Sequence, residues 1–143
     1  MIDSTVEFAS DNEDVASVSE DGVVTIYGGG NVTISISAET TSGEKVTESI
    51  KLEISGNPFK LADVTIDGII NGSDATLTLS AYTIISSGSE SPLTAAQKKA
   101  ADVDKDGIIT GSDATLILRY YTKISSLTPD ETVPTFEEWY VNQ

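Results

Sequence analysis

Two copies of one acidic twelve-residue segment decide how the second half of this chain folds: Asp63-Val-Thr-Ile-Asp-Gly-Ile-Ile-Asn-Gly-Ser-Asp74 and Asp102-Val-Asp-Lys-Asp-Gly-Ile-Ile-Thr-Gly-Ser-Asp113. Each copy has oxygen-bearing side chains at positions 1, 3, 5, 9 and 12 and a glycine at position 6. The repeat extends further, because residues 63–84 and 102–123 differ only at Thr65/Asp104, Ile66/Lys105, Asn71/Thr110, Thr78/Ile117, Ser80/Arg119, Ala81/Tyr120 and Ile84/Lys123. Two copies in register predict one structural unit built twice.

The oxygen spacing is that of an EF-hand calcium loop, in which Ca²⁺ takes about six to eight oxygen ligands. We therefore predict two Ca²⁺ ions, one in loop 1 (residues 63–74) and one in loop 2 (residues 102–113). Position 12 is an aspartate where most EF-hands have glutamate, and loop 1 has threonine at position 3, so loop 2 is predicted to be the stronger site. The predicted ligands are the side chains of Asp63, Thr65, Asp67, Asn71, Asp74, Asp102, Asp104, Asp106, Thr110 and Asp113, with the backbone carbonyls of Ile69 and Ile108.

A helix is predicted after each loop, over Ser73 to Ile85 and Ser112 to Ile124. The last carboxylate of each loop falls in the first turn, where a negative charge suits the helix dipole. A third helix is predicted from Ser91 to Ala101, because Ser91 is a good N-cap and the following proline fits a first turn. Loop 2 therefore has a helix before and after it, whereas loop 1 has only a following helix.

The N-terminal part reads as β-strands. Residues 32–38 alternate strictly between apolar and polar side chains, and shorter or similar patterns occur near residues 6–8, 15–18, 23–26 and 46–54, with turn residues between them. This spacing predicts an all-β sandwich. The pieces Phe8-Ala-Ser-Asp-Asn, Val15-Ala-Ser-Val-Ser, Asp21-Gly-Val-Val-Thr and Gly30-Asn-Val-Thr-Ile resemble bacterial immunoglobulin-like domains of group 2. That resemblance implies a spacer or adhesive module without an active site. Such domains begin further upstream, so we expect either that the first strands of the sandwich are missing or that this half leans on the second domain.

Composition excludes several classes of function. The chain has no cysteine and no histidine, which removes disulfides, the usual zinc ligand sets and any nucleophile that needs an imidazole base. Its net charge is −15 and no segment forms a strong basic patch, so nucleic acid is not a predicted partner. It has no apolar run long enough for membrane insertion. Its paired carboxylates are assigned to metal, so neither an enzyme nor a small-molecule substrate is predicted.

The order loop–helix, then helix–loop–helix, together with the repeated Asp-Gly-Ile-Ile-(Asn/Thr)-Gly-Ser-Asp-Ala segment, resembles a dockerin module over residues 60–125. The resemblance implies an all-α, calcium-dependent fold that binds a cohesin module of a scaffoldin or of a cell-surface anchoring protein. It also implies a secreted, extracellular or cell-surface protein of a cellulosome-type, polysaccharide-degrading complex. A β-module in front of such a unit is similar to the paired X-module and dockerin of those complexes.

In dockerins the partner is bound by loop positions 10 and 11 and by a stripe of the following helix. Carried over to this chain, the resemblance implies the contact residues Gly72, Ser73, Leu77, Ser80, Ala81, Ile84, Gly111, Ser112, Leu116, Arg119, Tyr120 and Lys123. The repeats differ within this stripe, because the first repeat has serine, alanine and isoleucine at the positions where the second has arginine, tyrosine and lysine. One dominant binding orientation is therefore predicted.

The predicted fold class is thus a two-domain chain, with an all-β immunoglobulin-like sandwich at 1–56, an all-α dockerin at 57–128 and an aromatic tail at 129–143. The tail is predicted to clasp Phe59 through Phe136 or Trp139. Two alternatives stay open, a calcium-stabilised surface adhesion fragment and a carbohydrate-binding fragment. An opening calcium sensor is disfavoured, because it needs a methionine-rich groove and the chain has one methionine.

Overall fold

The chain divides into two compact units, Met1–Pro58 and Phe59–Gln143. The computed structural model describes residues 6–40 and 42–143. The first unit contains strands β1 (Val6–Ser10), β2 (Ala16–Val18), β3 (Val24–Ile26), β4 (Gly30–Glu39) and β5 (Lys45–Ile54). The second contains helices α1 (Gly72–Ser86), α2 (Ala95–Ala101), α3 (Gly111–Ser125) and α4 (Phe136–Tyr140).

The strands of the first unit form two small antiparallel sheets. One has the order β1-β4-β5, with β4 and β5 paired from Gly30 opposite Ile54 to Glu39 opposite Lys45, and the other is the β2-β3 hairpin. Among the described residues of the first unit, the buried core consists of Val15, Ala16 and Val32, with Ile34, Leu52 and Ile54 packed around them. Further along the same apolar face of β5, the side chain of Ile50 is 65 % exposed.

The second unit packs α1 against α3 over a core that includes residues from loops as well as helices. The helices bury equivalent positions, Ala75, Thr78 and Ala81 on α1 and Ala114, Ile117 and Tyr120 on α3. Leu61, Ala62, Val64, Leu93 and Val103 are buried although none of them lies in a helix. Val64 of loop 1 and Val103 of loop 2 are among them, so both acidic loops help to form the core.

The predicted fold class was wrong. The structure is a mixed α/β chain, with strands in the N-terminal region and helices from residue 72 on, instead of an immunoglobulin-like sandwich followed by an all-α domain. A sandwich needs two facing sheets of several strands each. Here the second sheet is a hairpin with strands of three residues, which leaves much of the larger sheet uncovered. The helical part departs from an all-α domain because non-helical segments supply part of its core.

The third helix starts later than predicted. α2 begins at Ala95, and its N-cap is Thr94, whose hydroxyl accepts a hydrogen bond from the Gln97 backbone amide while the Gln97 side chain accepts from the Thr94 amide. This reciprocal capping box satisfies two amides, which the single hydroxyl of Ser91 cannot do. Ser91 instead accepts a bond from the backbone amide of Leu93 within the preceding loop.

Candidate functional site

Loop 2 brings three carboxylates together. One oxygen from each of Asp102, Asp104 and Asp106 lies within 4.8 Å of the others. The Oδ2 atom of Asp102 accepts a hydrogen bond from the Gly107 amide at 3.0 Å, whereas its Oδ1 atom is buried and is the single buried side-chain oxygen or nitrogen without a hydrogen-bond partner in the part of the chain described. An unpartnered buried carboxylate oxygen is costly, and a cation would satisfy it. The donor set therefore fits Ca²⁺.

The two loops share the backbone conformation that such a turn requires. Position 4 adopts a left-handed conformation in both, with φ of 58° at Ile66 and 60° at Lys105. Position 6 does the same, with φ of 87° at Gly68 and 84° at Gly107, where glycine carries no steric penalty. The carboxylate at position 5 accepts the amide of position 7 in each loop, at 2.8 Å for Asp67 and 2.7 Å for Asp106. The two loops therefore have the same backbone geometry at positions 4 to 7.

The last carboxylate of each loop joins the loop to its helix. Asp74 accepts bonds from the Thr65 amide and from the Asn71 amide, and it is also the third residue of a capping box with Asn71. Asp113 accepts the Thr110 amide in the same way, and its other bond comes from the amide of Val103, one loop position before the equivalent of Thr65. Both carboxylates are fully buried. Each carboxylate therefore ties together the first part of its loop, the last part of its loop and the first turn of the helix that follows.

Crowded negative charge marks both loops. Burial raises the pKa of Asp104, and the charges of Asp113 and Asp106 raise it further. Burial also raises the pKa of Asp63, and the charge of Asp74 adds to that shift. A divalent cation placed among these carboxylates would reverse both effects, because it favours the ionised forms.

Loop 1 differs from loop 2 at position 3. The hydroxyl of Thr65 donates to the Asp74 carboxylate at 3.0 Å, where loop 2 has the carboxylate of Asp104. Both oxygens of Asp63 accept backbone amides, from Asp67 and from Gly68. Loop 1 therefore offers fewer charged oxygens, and its first carboxylate already has hydrogen-bond partners.

The structure distributes the predicted partner-binding residues over three environments. Ala81 and Tyr120 are buried in the core. Gly72, Leu77, Ile84, Gly111 and Leu116 are half-buried, and Leu77 and Leu116 pack against the core. Ser73, Ser80, Ser112, Arg119 and Lys123 are exposed. The proposed stripe therefore runs along the edge of the core and is only partly available to a partner.

Sequence reasoning missed the apolar residues that α1 and α3 do expose. Leu79 is 50 % exposed and its repeat partner Leu118 is 47 % exposed, while Tyr82 and Tyr121 are 38 % and 37 % exposed. These positions are identical in the two repeats and lie three residues apart, so each helix presents the same leucine–tyrosine pair. The signal that could have identified them is that the two repeats carry the same leucine and the same tyrosine, although these positions lie outside the acidic loops.

The aromatic tail packs on the helix of the second repeat. Tyr120 of α3 meets Phe136 at a ring distance of 5.3 Å and Trp139 at 5.6 Å. Phe59 packs against the same core cluster, and the ammonium group of Lys99 lies 4.8 Å from the centre of its ring. The predicted pairing of Phe59 with the tail stays a prediction, whereas Tyr120 lies in the aromatic core.

Comparison with known proteins finds a family match in the repeat region. Residues 61–121 match the family model of the dockerin type I domain. The match supports the dockerin module in this segment, and with it a calcium-dependent, cohesin-binding role in general. A dockerin is a protein-interaction module and not a catalytic one. No curated protein matches the chain.

Dockerin domains bind calcium in general, and the cluster of Asp102, Asp104 and Asp106 is compatible with that. Within the described residues, none of the helices has the length and apolar character that crossing a membrane requires.

Proposed function

We propose that residues 57–128 act as a dockerin that binds two Ca²⁺ ions and anchors its parent protein, through a cohesin of a scaffoldin or cell-surface anchoring protein, in a secreted cellulosome-type complex. The proposal is carried by one repeated arrangement. In each repeat, the last carboxylate of an acidic loop lies in the capping box of a helix whose outer face exposes a leucine and a tyrosine. Metal in the loop therefore sets the position of the apolar surface.

The ions are assigned to the loops by their oxygen donors. In loop 2, Asp102, Asp104, Asp106 and Asp113 would hold the ion, with the Ile108 carbonyl and Thr110 completing the set. In loop 1, Asp63, Asp67 and Asp74 would do so, with Thr65, the Ile69 carbonyl and Asn71. Bound Ca²⁺ would neutralise the crowded carboxylates and hold each loop against the start of its helix, which couples metal binding to folding.

The contact surface proposed here uses the exposed residues of the helices. Tyrosine is a typical anchor residue of protein interfaces, and the neighbouring leucine adds apolar area that is buried on binding. The surface comprises Ser73, Leu79, Ser80 and Tyr82 in the first repeat and Ser112, Leu118, Arg119, Tyr121 and Lys123 in the second. Ala81 and Tyr120 are left out because both are buried.

The N-terminal unit is proposed to act as a β-sheet spacer before the dockerin. Its resemblance to an X-module and the domain limits 1–56, 57–128 and 129–143 stay predictions.

The proposal is tested by binding the chain to a panel of immobilised cohesin modules in Ca²⁺ and again in EDTA. Tight binding to one cohesin class that disappears in EDTA is expected. The double variant Leu79→Asp/Leu118→Asp should weaken that binding by about tenfold or more, because it places a charge in both apolar anchors. Val133→Asp is the matched control, since Val133 is also exposed and lies outside the proposed surface. Equal affinity in Ca²⁺ and EDTA, or equal loss in the control, would contradict the proposal.

A further inference from the structure

The C-terminal helix contacts one of the two similar helix faces. The Nη2 atom of Arg119 on α3 donates a hydrogen bond of 2.7 Å to the Oε1 atom of Gln143, and the guanidinium carbon lies 5.8 Å from the centre of the Trp139 ring. Trp139 is itself held in the core against Tyr120 and Phe136. The position equivalent to Arg119 on α1 is Ser80, whose short, neutral side chain cannot reach as far. The tail therefore makes the two faces different.

Between α3 and the tail lies a groove of 510 Å³, lined by Leu118, Arg119, Thr122, Lys123, Trp139 and other residues. Its wall is mainly apolar, and its lining includes the two cationic side chains of Arg119 and Lys123. The chain has 8 basic residues and a net charge of −15, and two of those basic residues line this groove. The pKa of Glu131 is lowered mainly by hydrogen bonds from Thr128 and also by the charge of Lys123. Lys123 therefore already has a carboxylate nearby. The hydrogen bond of Arg119 to Gln143 goes to a neutral amide and leaves its charge available.

We propose that the C-terminal segment is an orientation device: Gln143 and Trp139 hold the Arg119 guanidinium at this groove, so that α3, and not α1, receives an acidic, partly apolar patch of the cohesin. Gln143 and Trp139 are positioning residues that act through Arg119. A guanidinium already held in place loses less rotamer freedom when it pairs with a carboxylate. On α1 the same leucine and tyrosine are present without the held cation, so that face is the weaker of the two. This inference rests on the proposed function and adds the reason for one orientation.

The orientation can be read directly because the chain has no cysteine. Ser86 and Ser125 are equivalent, exposed and at the ends of α1 and α3, so single variants Ser86→Cys and Ser125→Cys can each carry one nitroxide label. The probe is an isotope-labelled cohesin chosen as the tightest binder of the panel, and broadening of its NMR signals reports which end of the dockerin lies near. Two different, non-overlapping sets of broadened signals are expected from the two labels.

Gln143→Ala is then introduced into both labelled chains, with Asn142→Ala as the matched control. The Asn142 side chain donates only to the Glu138 carbonyl within α4 in the hydrogen bonds described, so its loss tests tail stability without releasing Arg119. Loss of the Arg119 hydrogen bond should weaken cohesin binding about two- to tenfold. It should also make each label broaden both sets of signals, as the second orientation becomes populated. The control should do neither.

Three outcomes would overturn the inference. The first is one shared pattern of broadened signals from the two labelled chains with an unaltered tail, which means that two orientations already coexist. The second is identical behaviour of Gln143→Ala and Asn142→Ala, which removes the orienting role of the tail while leaving the proposed cohesin binding intact. Failure of every cohesin in the panel to bind in Ca²⁺ would defeat the proposed function, and this inference with it.

Discussion

The phenol of Tyr120 donates a hydrogen bond of 2.6 Å to the carbonyl oxygen of Pro134. This bond joins α3 to the segment that enters α4, and it lies beside the aromatic contacts of Tyr120 with Phe136 and Trp139. The repeat difference Ala81/Tyr120 is thereby explained. The first repeat needs only a small buried residue, whereas the second buries a tyrosine that receives the tail.

Tyr120→Phe removes this hydrogen bond and keeps the ring. We expect the free energy of unfolding of the second unit to fall by about 0.5–1.5 kcal/mol, since the Pro134 carbonyl loses its partner. Chemical denaturation followed by Trp139 fluorescence measures it, because Trp139 is the one tryptophan of the sequence. The control is Tyr121→Phe, which alters an exposed hydroxyl on the same helix. An equal change in both variants would contradict the role of the bond.

Stability should fall in alkali because of the same residue. Burial raises the pKa of Tyr120 above its ordinary value of 10.0, and the charges of Glu137 and Glu138 add to the shift. The folded state therefore holds the proton more tightly than the unfolded state. The stabilisation is fully present below the unfolded pKa and is lost as the pH rises through the folded pKa. Unfolding measured between pH 8 and pH 12 should show this loss in the unaltered chain, and Tyr120→Phe should lose less over the same range.

Phe136→Ala should destabilise the second unit more strongly. Phe136 is 2 % exposed and contacts the rings of Tyr120, Trp139 and Tyr140. Its truncation leaves a cavity and is expected to cost about 3–5 kcal/mol. Val141→Ala serves as the control, because Val141 follows the same short helix and is largely exposed. Thermal unfolding in saturating Ca²⁺ would show the difference, and similar melting temperatures for the two variants would argue against a packed tail.

Gly30→Ala probes the first unit. Gly30 has φ of +143°, and a Cβ atom there would lie 2.8 Å from Cγ2 of the buried Val15. We expect a loss of about 1–3 kcal/mol from backbone strain together with the clash. Gly43→Ala is matched, since its φ is +81° but its added Cβ meets no atom within 4 Å. Hydrogen exchange of the β4 amides would report the effect, and equal protection in the two variants would exclude the close approach to Val15.

The sequence predicted the parts of this structure that depend on local chemistry. Helices follow both loops within a residue or two of the expected bounds, because the last loop carboxylate is also a capping residue. The start of α2 was misplaced because two hydroxyl residues competed as the N-cap, and only Thr94 has a glutamine three residues later. The predicted fold class was wrong because the alternation of apolar and polar residues along a strand does not show how many strands of a second sheet will cover the first.

The exposed face of the helices could not be chosen from the pattern alone. α1 carries Leu77, Leu79, Ala81, Tyr82 and Ile84, so apolar residues occur on most of its circumference. Which of them are buried depends on packing against α3 and the loops, which is tertiary information. The burial of Tyr120 had the same cause, since its partners lie more than ten residues away along the chain.

A calorimetric titration of the metal-free chain with Ca²⁺ shows whether the two acidic loops are calcium sites. We expect two ions to bind, and Asp102→Asn to remove the ion of loop 2, because the buried carboxylate with the unpartnered oxygen becomes a neutral amide of almost the same shape. Asp130→Asn, which makes the same charge change at an exposed site outside both loops, should leave two. Absence of Ca²⁺ uptake by the unaltered chain would contradict the account.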